Sequence, residues 1–307
     1  MWFKNLYFFT FTREFNCSQD ELEKQLSENT YTPCGSTELS HFGWVNALGK
    51  HGSSISHVAN NNILLCARKE EKILPAGVIK DQLDEKIALL EAENNRSATK
   101  KEKEQLKEDI IFELLPRAFS RYTDTHGYIS PDHNIIVINA SSHGKAEDFL
   151  ALLRKSLGSL PVTSFSPEIA VDETMTEWLT GKSFAGNFQL GMEAEFNALG
   201  DDGAIIRVKN QDLSSDEIKA HLDAEKYVVK VALEWDESLS FILCDDLAIK
   251  RIKFFDVIYE QNDDIDSNDV VAKLDADFAL MAGELNRFII DLLAEFSLKT
   301  NEYLEDS

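Results

Sequence analysis

Apolar positions along the chain switch between a period of two and a period near 3.6, and the switches mark the elements. In the first fifteen residues Leu6, Phe8 and Thr10 fall on one face and Tyr7, Phe9 and Phe11 on the other. Both faces are largely apolar, which predicts a strand inside a sheet rather than at a wet edge. Ser18-Gln-Asp-Glu21 has the form of a capping box ahead of a short helix carrying Leu22 and Leu26. Residues 31–45 read as loop and strand broken by Pro33, Gly35 and Gly43, and residues 62–67 as a buried strand. From Arg68 the period changes. Leu83, Ile87 and Leu90 recur at helical spacing, residues 94–97 interrupt them, and Thr99-Lys-Lys-Glu102 forms a second capping box. Leu106, Ile110 and Leu114 follow on one stripe until Pro116. Two amphipathic helices with a polar tip predict an antiparallel hairpin, each arm reaching roughly 20 Å at 1.5 Å per residue.

Beyond the hairpin, residues 135–138 predict a strand, 145–157 an amphipathic helix ended by Gly158, and 160–162 a further strand. This order echoes residues 4–45 and suggests an internal repeat. Residues 161–167 mark a boundary. The second half then predicts a helix at 173–179, strands at 187–195 and 204–209, and a helix capped by Ser214-Ser-Asp-Glu217. A three-stranded meander follows at 226–235, 239–244 and 248–255, and a long closing helix spans 268–297. The fold class is α+β, with mixed or antiparallel sheets and a protruding two-helix finger. The expected domains are a central one (1–75 with 116–165), the finger or tip (76–115) and a C-terminal base (166–307).

Composition sharpens this picture. A chain of 307 residues suggests about two domains, and 43% hydrophobic content fits a folded protein. No apolar run approaches the ~18–20 residues of a membrane span, and the apolar start reads as a strand with no cleavage site after it. A soluble intracellular protein is expected. Cys17, Cys34, Cys66 and Cys244 are scattered and form neither a disulfide framework nor a zinc motif. The charge of −23 argues against a nucleic-acid partner only if it is evenly spread, and it is not. Residues 68–121 hold 12 basic and 12 acidic side chains, while the other 253 residues hold 19 and 42. The hairpin is a neutral module on an acidic body, basic at its tip (Arg96, Lys100, Lys101, Lys103) and at its base (Arg68, Lys69, Lys72, Arg117, Arg121). A solvated charged hairpin and a phosphate-binding surface both fit that pattern. Pro116-Arg-Ala-Phe-Ser-Arg-Tyr122 interleaves arginines with aromatics, a composition suited to phosphate and sugar contact. Spacing alone favours the plainer role for Phe119, stapling the hairpin to the sheet.

Catalytic signatures are missing. The three Gly-Lys pairs at 49, 144 and 181 lack the first glycine of a phosphate loop, with Trp44, Asn139 and Thr176 in its place. Pro131-Asp132 is not followed by the acidic-x-Lys triplet of a nuclease, and His41, His51 and His57 have no metal-ligand spacing. Asp264-Ile-Asp-Ser-Asn268 with Asp275 mimics a calcium loop but has Asp269 where the turn needs glycine, so an acidic helix cap is the better account. No enzyme, cofactor or metal is expected.

Longer blocks carry a resemblance. Thr32-Pro-Cys-Gly-Ser36, Ala67-Arg-Lys-Glu-Glu-Lys-Ile-Leu-Pro75, Leu114-Leu-Pro-Arg-Ala-Phe-Ser-Arg121, Ala151-Leu-Leu-Arg-Lys-Ser-Leu-Gly-Ser-Leu-Pro-Val162, Lys250-Arg-Ile-Lys-Phe254 and Asp275-Ala-Asp-Phe278 resemble the RdgC family, in register from Trp2 to about Leu293. The resemblance implies a cytoplasmic, nucleoid-associated, non-enzymatic protein that binds double-stranded DNA with little sequence preference. It implies a ring-shaped homodimer that encircles duplex and modulates RecA-mediated recombination and replication-fork processing. Arg68, Lys69, Lys72, Arg96, Lys100, Arg117, Phe119, Arg121, Arg207, Lys209 and Gln211 are the expected DNA-contacting residues. Phe119, Asn210 and Gln211 are expected at the dimer interface. Asn210 stands where a lysine is usual, which moves any direct phosphate contact there to Arg207, Lys209 and Gln211. The alternative function is an acidic inhibitor that binds a recombinase directly, without DNA.

Overall fold

The computed structural model describes residues 2–198, 203–263, 265 and 269–297. Asp264, Asp266 and Asn268, from the acidic loop that mimics a calcium site, lie outside them. The chain runs β1 (Leu6–Phe11), α1 (Gln19–Ser27), β2 (Ser40–Val45), β3 (Ser56–Ala59), β4 (Asn62–Ile73), α2 (Ala76–Asn94), α3 (Lys100–Leu114), β5 (Phe119–Ser130), β6 (Ile135–Asn139), α4 (His143–Leu157) and β7 (Val162–Thr163). It continues with α5 (Val171–Leu179), β8 (Phe188–Ala198), β9 (Ile205–Lys209), α6 (Asp216–Asp223), β10 (Lys226–Trp235), β11 (Leu239–Cys244), β12 (Ile249–Phe254), α7 (Asp256–Tyr259) and α8 (Val270–Ser297).

The strands form a single sheet in the order β2-β4-β5-β6-β1-β12-β11-β10-β8-β9, with β3 also on β4 and β7 on β1. Every ladder between these strands is antiparallel, which removes the mixed-sheet option; the parallel contact Thr30–Trp44 is an isolated bridge. As its two apolar faces require, β1 is central. It pairs with β6 from Leu6↔Asn139 to Thr10↔Ile135 and meets β12 at Leu6↔Ile249. The β1–β12 seam joins the sheet of the N-terminal half to the 226–254 meander.

Two layers of helix cover the sheet unequally. On one face α8 presents Phe278, Met281, Leu285, Phe288, Ile289 and Leu292, all fully buried, with α5 and α6 beside it. Spacings of three and four residues put these side chains on one stripe. Each is worth roughly 1.5–3 kcal/mol of burial. Their partners include Phe3, Leu6, Tyr128 and Val137 as well as Val231, Trp235 and Phe241, so the two halves share one core. On the other face α1 and α4 cover Tyr7, Phe9, Leu65, Ile129, Ile136 and Ile138. Among the described residues no helix other than α1 and α4 enters this cluster, and Ile242, Cys244 and Ala248 border the open part of the face over β8–β12.

Between β4 and β5 the chain leaves the sheet as α2 and α3, of 19 and 15 residues. They fold back on each other, with Lys86 Nζ 3.0 Å from Glu113 and the Ala98 amide donating to Glu91 across the turn. The Thr99 capping box forms in both directions. At Ser18 only the hydroxyl-to-amide half forms. The box expected at residues 214–217 does not form: the helix starts at Asp216 behind Ser215, and the Ser214 hydroxyl donates instead to Asp212. Asp212 sits two residues before Ser214 and captures both its amide and its hydroxyl, a local turn that outcompetes the cap. Core packing in the hairpin is thin. α2 buries no residue fully and α3 only Ile110, while Leu89 and Phe112 are exposed.

Candidate nucleic-acid interface

Alternation along β4 and β5 decides which cations can act together. Their ladder runs from Ile63↔Ile129 to Ile73↔Phe119, and successive side chains point to opposite faces. Leu65, Ala67 and Ile129 lie on the α4 face, so Lys69, Glu71 and Arg121 follow them there. Glu71 and Arg121 are register partners joined at 2.8 Å, and Lys69 lies 3.8 Å from Glu71 and 3.2 Å from Asp148 of α4. Together with Lys145 they line a hollow floored by Thr123 and Thr125. The Arg121 hydrogen bond, aided by the nearby Lys69 charge, holds the Glu71 carboxyl below its ordinary range.

Arg68 and Lys72 point the other way. The Arg68 guanidinium donates two 2.7 Å hydrogen bonds to Asp124, its register partner. Lys72 is mostly buried against Glu70, which is itself 2% exposed and accepts from the Ser120 and Tyr31 hydroxyls and the Cys34 amide. Of the base cluster expected from sequence, the structure brings Lys69 and Arg121 together and sets Arg68 and Lys72 on the opposite face. Arg117 lies exposed just before β5, and Phe119, at its start, is 83% exposed rather than stapled down.

A second group of cations lies on the uncovered part of the same face. On β8, Ala194 and Phe196 enter the α8 core, so Glu193 and Glu195 face outward. Each meets a basic register partner on β9, Lys209 and Arg207. Glu195 also faces Lys230 on β10 at 2.8 Å, and Glu193 reaches Arg251 at 2.6 Å. Lys250, Arg251 and Lys253 all line this open region. Strict alternation would send one of them inward. The register between β11 and β12 shifts between Ser240↔Lys253 and Ile242↔Lys250, leaving an extra residue on β12. Arg251 takes up that bulge with φ of 54°, its amide donating to the Asn5 side chain. The result is six cations (Arg207, Lys209, Lys230, Lys250, Arg251, Lys253) with Glu193, Glu195 and Glu234 on one surface. The second group begins on β12, three strand steps from β5, so at about 4.8 Å per step roughly 14 Å separates the nearest strands of the two groups.

The remaining expected residues are dispersed. Arg96 is at the hairpin tip, where it donates to Glu102 at 2.6 and 2.9 Å and stiffens the capping turn; Lys100 is exposed one turn from Glu104. Asn210 follows β9 in the left-handed conformation, φ 53°, which asparagine tolerates better than lysine does. Gln211 donates to Ser215 and Glu217. Phe119 and the Asn210–Gln211 pair therefore stand toward opposite edges of the sheet. Sequence reasoning missed Lys145, Lys230, Lys250, Arg251 and Lys253 as site residues. The Lys250-Arg-Ile-Lys run was the available signal, but only the bulge turns all three cations outward. Among the described residues no group of three or more His, Cys, Asp or Glu side chains is arranged to hold a metal, and no helix is long and apolar enough to cross a membrane.

Comparison with known proteins places the chain in a family. The family model described as "Putative exonuclease, RdgC" matches residues 1–299. The recombination-associated protein RdgC of Colwellia psychrerythraea is 76% identical over 305 residues, 99% of each chain. Proteins of the same name from Tolumonas auensis and Salmonella newport are 52% and 48% identical, covering 96% and 95% of this chain and 97% of each relative. A match running through the β4–hairpin–β5 unit, the open face and α8 alike leaves one assignment: the chain belongs to the RdgC family.

Proposed function

We propose that this chain binds double-stranded DNA without sequence preference, closes as a homodimeric ring around the duplex, and so restrains RecA-mediated recombination and replication-fork processing, without catalysis. The observation that carries the reading is the gathering of Lys69, Arg121 and Lys145 and of the six β9–β12 cations on one face of a chain with net charge −23. The local field at a surface, not the net charge, governs its attraction for phosphate, and released counterions supply the affinity. No base-reading helix is needed for such binding, in keeping with a sheet face of long, exposed cations. The hairpin supports the ring: its exposed Leu89 and Phe112, with Phe119 at its root, offer apolar surface to a second copy. Nucleoid association in the cytoplasm follows from the duplex as partner.

Titration of a labelled random-sequence duplex at several salt concentrations, with chelator present, tests the reading. Binding that weakens steeply and linearly on a log–log salt plot, equally for unrelated sequences, is the expected result. No binding at low salt overturns it and turns attention to the acidic surface and direct recombinase contact.

A further inference from the structure

The basic face is not simply basic. Three of its strand carboxylates stand at places where a strand could have carried a neutral residue, each within ion-pair reach of two cations. Glu71 lies opposite Arg121 and beside Lys69. Glu195 bridges Arg207 at 2.6 Å and Lys230 at 2.8 Å from the strands on either side. Glu193, two residues away, takes Arg251 at 2.6 Å and Lys209 at 3.7 Å. These are mostly cross-strand neighbours held by register, so the sheet itself fixes carboxylate and cation together. Burial pushes the Glu195 carboxyl upward, yet hydrogen bonds from Lys230 and Arg207 bring it below its ordinary value, so it is ionised at neutral pH.

We propose that Glu71, Glu193 and Glu195 are built-in competitors of the DNA backbone: they hold the cations of the face in register and cap its affinity for phosphate. The inference rests on reading this face as the duplex-binding surface. A phosphate that engages Arg207 or Arg251 must share it with a carboxylate already in place. Each such cation then releases less condensed counterion than a free one would. The face stays attractive enough to hold a duplex and weak enough at any one phosphate for the duplex to shift along it.

The test measures affinity and salt slope for a random-sequence duplex with the full-length chain and its Glu193→Gln/Glu195→Gln and Glu71→Gln variants. Neutralising each carboxylate is expected to tighten binding roughly three- to tenfold at low salt and to steepen the log–log slope by up to about one. A merely structural role would not steepen the slope. Glu71 is the more exposed site, so its variant decides the matter if the double variant does not fold. Adding Arg207→Gln to Glu195→Gln should return affinity toward the wild-type value. Wild-type binding with glutamine variants equal or weaker overturns this inference alone. Absence of wild-type binding overturns the duplex reading and the inference with it.

Discussion

The Tyr31 hydroxyl donates a 2.6 Å hydrogen bond to Glu70, tying the loop after α1 to the root of the helical hairpin. Glu70 also accepts from Ser120 on β5 and from the Cys34 amide, so one buried carboxylate fastens β4, β5 and the loop at the point where the hairpin leaves the sheet. Ser120, Tyr31 and Cys34 together bring the Glu70 carboxyl down to about 2.

A pH dependence follows from that depression. A carboxyl lowered from its usual 4.5 to about 2 adds stability that is complete above the unfolded value and fades as pH falls toward 2. The melting temperature of the wild type should drop on acidification through this window. Glu70→Gln should lower it at neutral pH and flatten the dependence below about pH 4.5. Parallel curves for the two proteins would remove Glu70 as the group responsible.

The two faces of the β4–β5 ladder predict different effects of neutralising a cation. Arg121→Gln with Lys69→Gln should weaken duplex binding and reduce the salt slope by up to about one, because Glu71 already offsets part of the two charges. Arg68→Gln removes the bidentate pair with Asp124 on the opposite face and should leave the slope unchanged. Equal weakening from both changes would mean that DNA does not distinguish the faces.

Asn286 joins α8 to the N-terminal half of the sheet. Its side chain accepts from the Tyr128 hydroxyl and donates to Asn62 and Ser130, all within 3.0 Å. Asn286→Ala would strand buried polar partners at about 1–3 kcal/mol each, so thermal unfolding should move several degrees lower. An unchanged melting temperature would show that the partners find each other without Asn286.

Much of this architecture was legible in the sequence, and the misses have physical causes. The two-faced apolarity of residues 6–11 located the central strand, and the 3.6-residue stripe of 274–292 located the long helix against the core. The continuity of the sheet across Leu6↔Ile249 was not legible, because pairing between strands far apart in sequence leaves no local periodicity. The basic run at 68–72 was visible, but adjacent strand residues face opposite ways, so Arg68 and Lys69 could not belong to one surface. Lys250, Arg251 and Lys253 were hidden by the converse effect, since a bulge overrides alternation.

Phe119 offers a test of the proposed dimer. A phenylalanine 83% exposed at the root of a hairpin whose own core is thin has little to stabilise within its chain. Phe119→Asp should leave the melting temperature near that of the wild type and shift sedimentation from dimer toward monomer at low concentration. A dimer unaffected by the change would exclude Phe119 from the contact.

Arg251 holds a conformation that costs it stability. A bulky residue at φ of 54° is disfavoured by roughly 1–2 kcal/mol relative to the ordinary backbone, whereas glycine takes it freely. What Arg251 gains within the chain is an exposed ion pair with Glu193, worth about 0–1 kcal/mol. Glycine has its own entropy cost on folding, so the two residues should differ little in stability, and on the proposed reading the guanidinium serves the surface it faces. Arg251→Gly should therefore leave the melting temperature little changed while weakening duplex binding and lowering its salt slope by up to about one. A variant that unfolds more readily than the wild type, with DNA affinity intact, would make Arg251 a structural residue instead.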